Sequence, residues 1–263
     1  MSVIKHISII GTGNVATEIA KLFLRNNFII DGVYGRSSID TKSLDPHLYQ
    51  SNYNEISQNS DLYLISVSDD SYLDILRKLE LKNPFIVHTS GNLESSVLEL
   101  KTNRWGCLYP LQTIKKNQNI SWDKVPFLIE ASNKKDLSLL SNLCSLNNLR
   151  YSVKDSEARN KMHVAAVAAN NFTYYLLSEV KEYCKKYQLD FTDLKPLIEK
   201  SLQNILDTPG HTLQTGPAVR ADLKVIERQL NSLKEDKDLQ DIYQLFTKKI
   251  IKKHQNELQD KTF

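Results

Sequence analysis

The sequence predicts an α/β protein, with a mostly parallel sheet domain over residues 1–154 followed by an all-α domain over residues 155–263. Three observations lead there. Short apolar, β-branched runs alternate with stretches of helical period through the first half. Strand-like text stops after Val153. A chain of 263 residues lies between one large domain and two ordinary ones and is long enough to bury a sizeable core.

In order, Ile4 to Ile10 reads as a buried strand, Val15 to Leu24 as a helix and Ile29 to Tyr34 as a second strand, together a βαβ unit. Leu62 to Val67 and Pro84 to Thr89 are two more buried strands, separated by a helix from Tyr72 to Leu79 and followed by one from Leu93 to Leu100. Such alternation makes the sheet largely parallel. Trp105 to Leu108, Pro126 to Ala131 and Arg150 to Val153 extend it, with a helix between Lys135 and Asn147. Beyond Lys154, with Ser156 placed to cap, Glu157 to Tyr187, Asp193 to Leu206, Ala218 to Leu233 and Asp238 to Leu258 read as helices of mixed charge.

Composition sets the outer limits. With 41% hydrophobic and 25% charged residues and a mean hydropathy of -0.39, the chain is neither a polytopic membrane protein nor disordered. The balance of 34 basic against 31 acidic side chains gives +3, which calls for neither a nucleic-acid partner nor a membrane and leaves any anion site local. Lys248, Lys249, Lys252 and Lys253 sit among Glu257, Asp260 and apolar residues, as on a solvated helix face. No secretory signal is visible before the first strand. Cys107, Cys144 and Cys184 lack metal-site spacing and fit reduced thiols in a cytoplasm. The six histidines show no HxH, HxxxH or HExxH pattern, so no metal site is expected.

The most specific local signal is Gly11-Thr12-Gly13-Asn14-Val15-Ala16, a GxGxxA turn between a strand and a helix. Gly11 permits the tight turn, Gly13 lets backbone approach a pyrophosphate, Ala16 lets helix and strand pack closely, and free N–H groups at the helix start meet the phosphates. The fold expected is therefore Rossmann-like, binding a dinucleotide through Gly11, Thr12, Gly13, Asn14 and Val15. A merely tight strand-to-helix turn, or a different nucleotide, gives the same text. At the end of the second strand stand Arg36 and Ser37, which suit a 2′-phosphate and so NADP rather than NAD. Asp31 is a competing acid, but at the strand's beginning. The next loops, Ser66-Val67-Ser68-Asp69-Asp70 and His88-Thr89-Ser90-Gly91, should lie at the carboxyl ends of strands where ligands bind, with Ser68 facing the cofactor and Ser90 and Gly91 the nicotinamide or substrate. Helix capping by Asp69, Ser71 and Ser90 explains these residues equally well.

Taken with Tyr109-Pro110-Leu111-Gln112-Thr113, His163 through Asn171-Phe172, and Thr215-Gly216-Pro217-Ala218 with Arg220 and Asp222, these segments resemble a bacterial family over nearly the whole chain. That family comprises Rossmann-like proteins with a C-terminal helical domain of unknown function, distant relatives of pyrroline-5-carboxylate reductases, 6-phosphogluconate dehydrogenases and deazaflavin-dependent NADP oxidoreductases. The resemblance implies a helical domain that supplies half of the cleft and a homodimer built through the C-terminal helices. The family usually has His where this chain has Tyr109, and Gly where it has Ala221. In the related hydroxyacid dehydrogenases a Lys four residues before the Asn acts as acid/base, whereas Val167 stands there.

His163 is then the nearby group suited to proton transfer, although a lone His on an Ala-rich helix is also an ordinary packed residue. Periodicity places Asn170 nearer its face, while the family pattern selects Asn171, at about 2.2 turns. His211 is a weaker candidate. Gln112, Thr215 and Arg220 are candidate substrate contacts, with a cap and an Arg–Asp pair as the bland reading of the last two. The expectation is an NADP-dependent oxidoreductase that moves hydride between the cofactor and a small carbonyl or imine held between the two domains. The alternative is a non-catalytic NADP-binding redox sensor or regulatory protein.

Overall fold

The computed structural model describes residues 3–36, 44–116, 118–208 and 213–260, with side chains to 255. It divides into two compact units, Met1–Ala166 and Val167–Phe263.

The first unit is an eight-stranded sheet in the order β3-β2-β1-β4-β5-β6-β7-β8. The strands are β1 His6–Ile10, β2 Ile29–Tyr34, β3 Tyr49–Gln50, β4 Leu62–Ile65, β5 Phe85–His88, β6 Arg104–Pro110, β7 Pro126–Ala131 and β8 Arg150–Val153. Every neighbouring pair is parallel except β6 with β7. The two-residue β3 gives no periodic signal and escaped the sequence reading. Helices α1 Asn14–Arg25 and α3 Lys134–Leu146 cover one face, α2 Tyr72–Lys78 and α4 Ser156–Ala166 the other.

Period-two alternation sorts the side chains between these faces. Ile7, Ile9, Leu62, Leu64, Phe85, Val87, Leu108, Phe127 and Ile129 pack with Ala16, Ile19, Phe23 and Leu140 in one cluster. Ile10, Tyr63, Ile65 and Ile86 pack with Tyr72, Ile75 and Leu76 in the other. His88, Tyr109 and Glu130 occupy the latter face further along the sheet. The stretch expected as a helix from Leu93 is a 3-10 segment, Ser95–Leu100.

The second unit is helical: a π turn at Val167–Asn171, then α5 Phe172–Lys186, α6 Lys195–Asp207, α7 Leu223–Ser232 and α8 Lys237–Asp260. The sequence places the start of α7 at Ala218, but residues 218–222 form turns and Asp222 caps the helix by accepting from Val225 N. Ala221 sits there at φ +51°, a left-handed conformation that costs an L-residue about 1 kcal/mol and that glycine adopts freely. This is the position at which the family usually has Gly. Phe172, Leu197 and Leu206 are exposed apolar side chains. No described helix is long and apolar enough to cross a membrane.

Candidate active site

Strand order reverses beside β1, with β2 on one side and β4 on the other, and in doubly wound sheets the carboxyl ends of the strands at such a reversal form the ligand crevice. A cleft of about 490 Å3 opens there. Gly11, Thr12, Gly13, Asn14, Val15, Arg36 and Ser68 all line it, as does Ser90. Ser37 and His211 lie outside the described residues.

The glycines have separate physical reasons. Gly11 has φ +130°, its N–H donates to Tyr34 O at 2.7 Å, and a Cβ would stand 2.0 Å from Ser66 O, so no side chain fits. At Gly13 a Cβ would meet nothing within 4 Å, leaving open space above the backbone. Gly13 is also the N-cap of α1 and makes no side-chain cap, so the first-turn N–H groups remain free to bind an anion. These features fit a dinucleotide pyrophosphate.

Across the cleft, Arg36 follows β2 and Lys78 ends α2, and neither is paired with a carboxylate among the described residues. Burial pushes the Tyr53 phenol up, and the nearby Arg36 guanidinium draws it back in part. Lys78 and Tyr53 escaped sequence reasoning because neither belongs to a motif; only the fold brings them to the cleft. Asp31 is committed elsewhere, accepting from Ser60 Oγ at 2.5 Å and bonded to His6 Nδ1 at 2.8 Å, toward the opposite end of β1. Ser90 does cap its turn, accepting from Asn92 N and Leu93 N, which still leaves its hydroxyl proton to donate. Ser71 makes no cap and shares a hydrogen bond with Ser68.

Past Ser90, the rings of His163 and Tyr109 lie over Gly91, where a Cβ would come within 2.7 Å of His163 Nδ1 and 2.8 Å of the Tyr109 ring. The Tyr109 hydroxyl and His163 Nδ1 are 2.9 Å apart. Burial, with the neighbouring Cys107 thiol second, pushes the Tyr109 phenol up, so it stays protonated at neutral pH. Gln112 is exposed, and its Oε1 accepts from Thr113 N rather than lining the cleft. Asn171, Thr215 and Arg220 belong to the second unit and are exposed there, and among the described residues Arg220 forms no ion pair with Asp222.

A buried polar network holds this end of the sheet. Arg159 is fully buried and donates to Glu130 Oε2 at 2.5 Å, Leu93 O at 2.5 Å, Ser156 Oγ at 3.0 Å and Ser95 Oγ at 3.1 Å. Ser95 and Ser156 hydroxyls donate to the same carboxylate oxygen. With the Ser95 proton so used, its Oγ accepts from His88 Nε2, while His88 Nδ1 accepts from Ser90 N. His88 is thereby a neutral ring that fixes the Ser90 turn. The residues Ser156, Arg159 and His163 share one face of α4 at helical spacing, so anchoring Arg159 also sets His163. That spacing was the sequence signal available for this network, hidden within a helix of mixed charge.

Burial, and secondarily Arg159, lower His88 to about 3. The unfolded ring titrates near 6.5. Below pH 6.5 the unfolded chain takes up a proton that the folded chain excludes, so this contribution is complete above pH 6.5 and is lost as pH falls toward 3. Urea unfolding of wild type and His88→Gln should diverge over that range by up to about 1.4 kcal/mol per pH unit. Parallel pH profiles would contradict the assignment.

Against this geometry, comparison with known proteins is informative. A family model described as a domain of unknown function, DUF2520, matches residues 125–250. The crystal structure of a Bacteroides fragilis protein provisionally named an NADP oxidoreductase is 32% identical, with 94% of this chain and 98% of that one covered and a TM-score of 0.84. The chain carries a DUF2520 domain over those residues and belongs to the same family as the Bacteroides fragilis protein. No curated protein sequence matches it. An imine reductase from Myxococcus stipitatus in complex with NADP+ matches at 13% identity over 93% and 92% of the two chains, with a TM-score of 0.71. The Plasmodium falciparum pyrroline carboxylate reductase with NADP bound matches at 17% identity over 94% and 98%, with a TM-score of 0.61. These two likenesses establish a shared fold. In this DUF2520 protein the matched segment contains Glu130, Arg159 and His163, whereas the glycine turn precedes it.

Proposed function

We propose that this DUF2520 protein is an NADP-dependent oxidoreductase acting on a small carbonyl or imine. The observation that carries the reading is the cleft at the strand reversal, where open backbone at Gly13 faces the same space as Arg36 and Lys78, neither paired with a carboxylate among the described residues. The names of the similar structures support it. Bound NADPH supplies hydride at the nicotinamide C4. The protein's own part is to seat the pyrophosphate on the amides after Gly11, meet the 2′-phosphate with Arg36, and present Thr12, Asn14, Val15 and Ser68 along the cofactor. Ser90 and Gly91 are assigned a hydroxyl and a backbone N–H for the nicotinamide or substrate, and His163 would supply the proton. Asn171, Thr215 and Arg220 are assigned to the substrate on the family pattern.

The test is oxidation of NADPH at 340 nm with 2-oxoacids, 1-pyrroline and phosphorylated ketones as probes. Turnover that His163→Ala reduces about 100-fold supports the reading. Tight NADPH binding without turnover of any probe favours a redox sensor, an alternative motivated by Val167, and absence of binding removes both.

Assembly as a homodimer through the C-terminal helices belongs to the same reading, because Phe172, Tyr175, Leu202, Ile205 and Leu206 are apolar and exposed. Sedimentation velocity should give a dimer at micromolar concentration, and a monomer there would exclude it.

A further inference from the structure

We propose that Tyr109 is the positioning residue for proton transfer by His163: its neutral hydroxyl holds Nδ1 in both charge states of the ring and leaves Nε2 to exchange the proton with the substrate. The inference rests on the oxidoreductase reading above and adds to it the atom that transfers the proton and the group that aims it.

Three features of the site support the pair. The hydroxyl and Nδ1 are 2.9 Å apart, and the rings meet edge to face at 5.7 Å and 76°. Both rings rest on Gly91, where any larger residue would displace them. Their backbones are independently fixed. Tyr109 lies in β6, hydrogen-bonded between β5 and β7, and His163 is one helical turn beyond the anchored Arg159. Nε2 has no partner among the described residues, so of the two ring nitrogens it alone is available.

A hydroxyl differs from the carboxylate that commonly orients a catalytic histidine. It donates to Nδ1 of the neutral ring and accepts from Nδ1–H of the charged one, so the ring keeps its orientation through a proton-transfer cycle. In reduction, the hydride pair forms the new C–H bond and the C=O or C=N π pair moves to the heteroatom. That heteroatom takes the Nε2 proton, the imidazolium becomes neutral imidazole, and solvent returns the proton. Oxidation runs the same steps in reverse, with Nε2 as base.

The test is a double-mutant cycle on NADPH oxidation with 1-pyrroline, or with whichever of the probes above turns over. Tyr109→Phe should lower kcat about tenfold with the KM for NADPH unchanged, and should lower it no further in the His163→Ala background. Tyr109→His, which restores a donor and an acceptor, should recover part of the loss. In the 15N spectrum of protein labelled at histidine, the Nδ1 resonance of His163 should move in Tyr109→Phe while the remaining histidines stay in place. Equal losses from Tyr109→Phe with and without His163, or an unmoved Nδ1 resonance, would overturn the pairing. Wild type that oxidises no NADPH would overturn the oxidoreductase reading instead, a result separable from a Tyr109→Phe enzyme as active as wild type.

Discussion

Glu130→Ala is expected to destabilise the sheet unit by about 3–5 kcal/mol in urea unfolding, the largest single effect foreseen for this chain. The carboxylate accepts from Arg159, Ser95 and Ser156, and its removal leaves a guanidinium with no exposure to water and no counter-charge. Removing both charges together is a different experiment. The double variant Glu130→Leu with Arg159→Met should lose much less than Glu130→Ala alone, because the desolvation cost of the ions goes with the ions. If Glu130→Ala unfolds within about 1 kcal/mol of wild type, the network contributes little to stability. The same substitution loosens the turn through Ser95 and His88 to Ser90, so any activity should fall before the fold is lost.

Arg36→Glu is expected to weaken NADPH binding about 100-fold while changing NADH affinity only a few-fold, as measured by calorimetric titration. A charge-assisted bond to phosphate contributes about 1.5–3 kcal/mol, and reversing the charge adds repulsion. Lys78→Ala should cost NADPH about tenfold, the smaller change reflecting a point charge on a flexible stem. Equal affinity of the wild type for NADPH and NADH would remove the 2′-phosphate from this position, whatever the variants do.

Much of this was legible in the chain. Strand spans such as Ile29–Tyr34 and Pro126–Ala131 follow directly from apolar runs, because a strand largely buried on both faces needs little else to specify it. The glycine turn was equally plain, since Gly11 and Gly13 answer local demands of backbone conformation and close approach. Sequence reasoning was weakest where a short element carries no period, as at Tyr49–Gln50, or where a helix begins on a cap inside a polar stretch, as at Asp222.

By itself, then, the sequence determined the sheet-then-helix order, the glycine turn and the candidate cations and histidines, because these depend on residue type and short-range spacing. The tertiary structure alone decided that Lys78 joins Arg36 at one cleft, that Asp31 is bound to Ser60 and His6, that Glu130 and Arg159 form a buried pair, and that Tyr109 meets His163 over Gly91. Those contacts join residues tens of positions apart. The parallel crossovers and the single antiparallel step at β6 and β7 set which of them meet, and that pairing is a property of the folded sheet which no local pattern encodes.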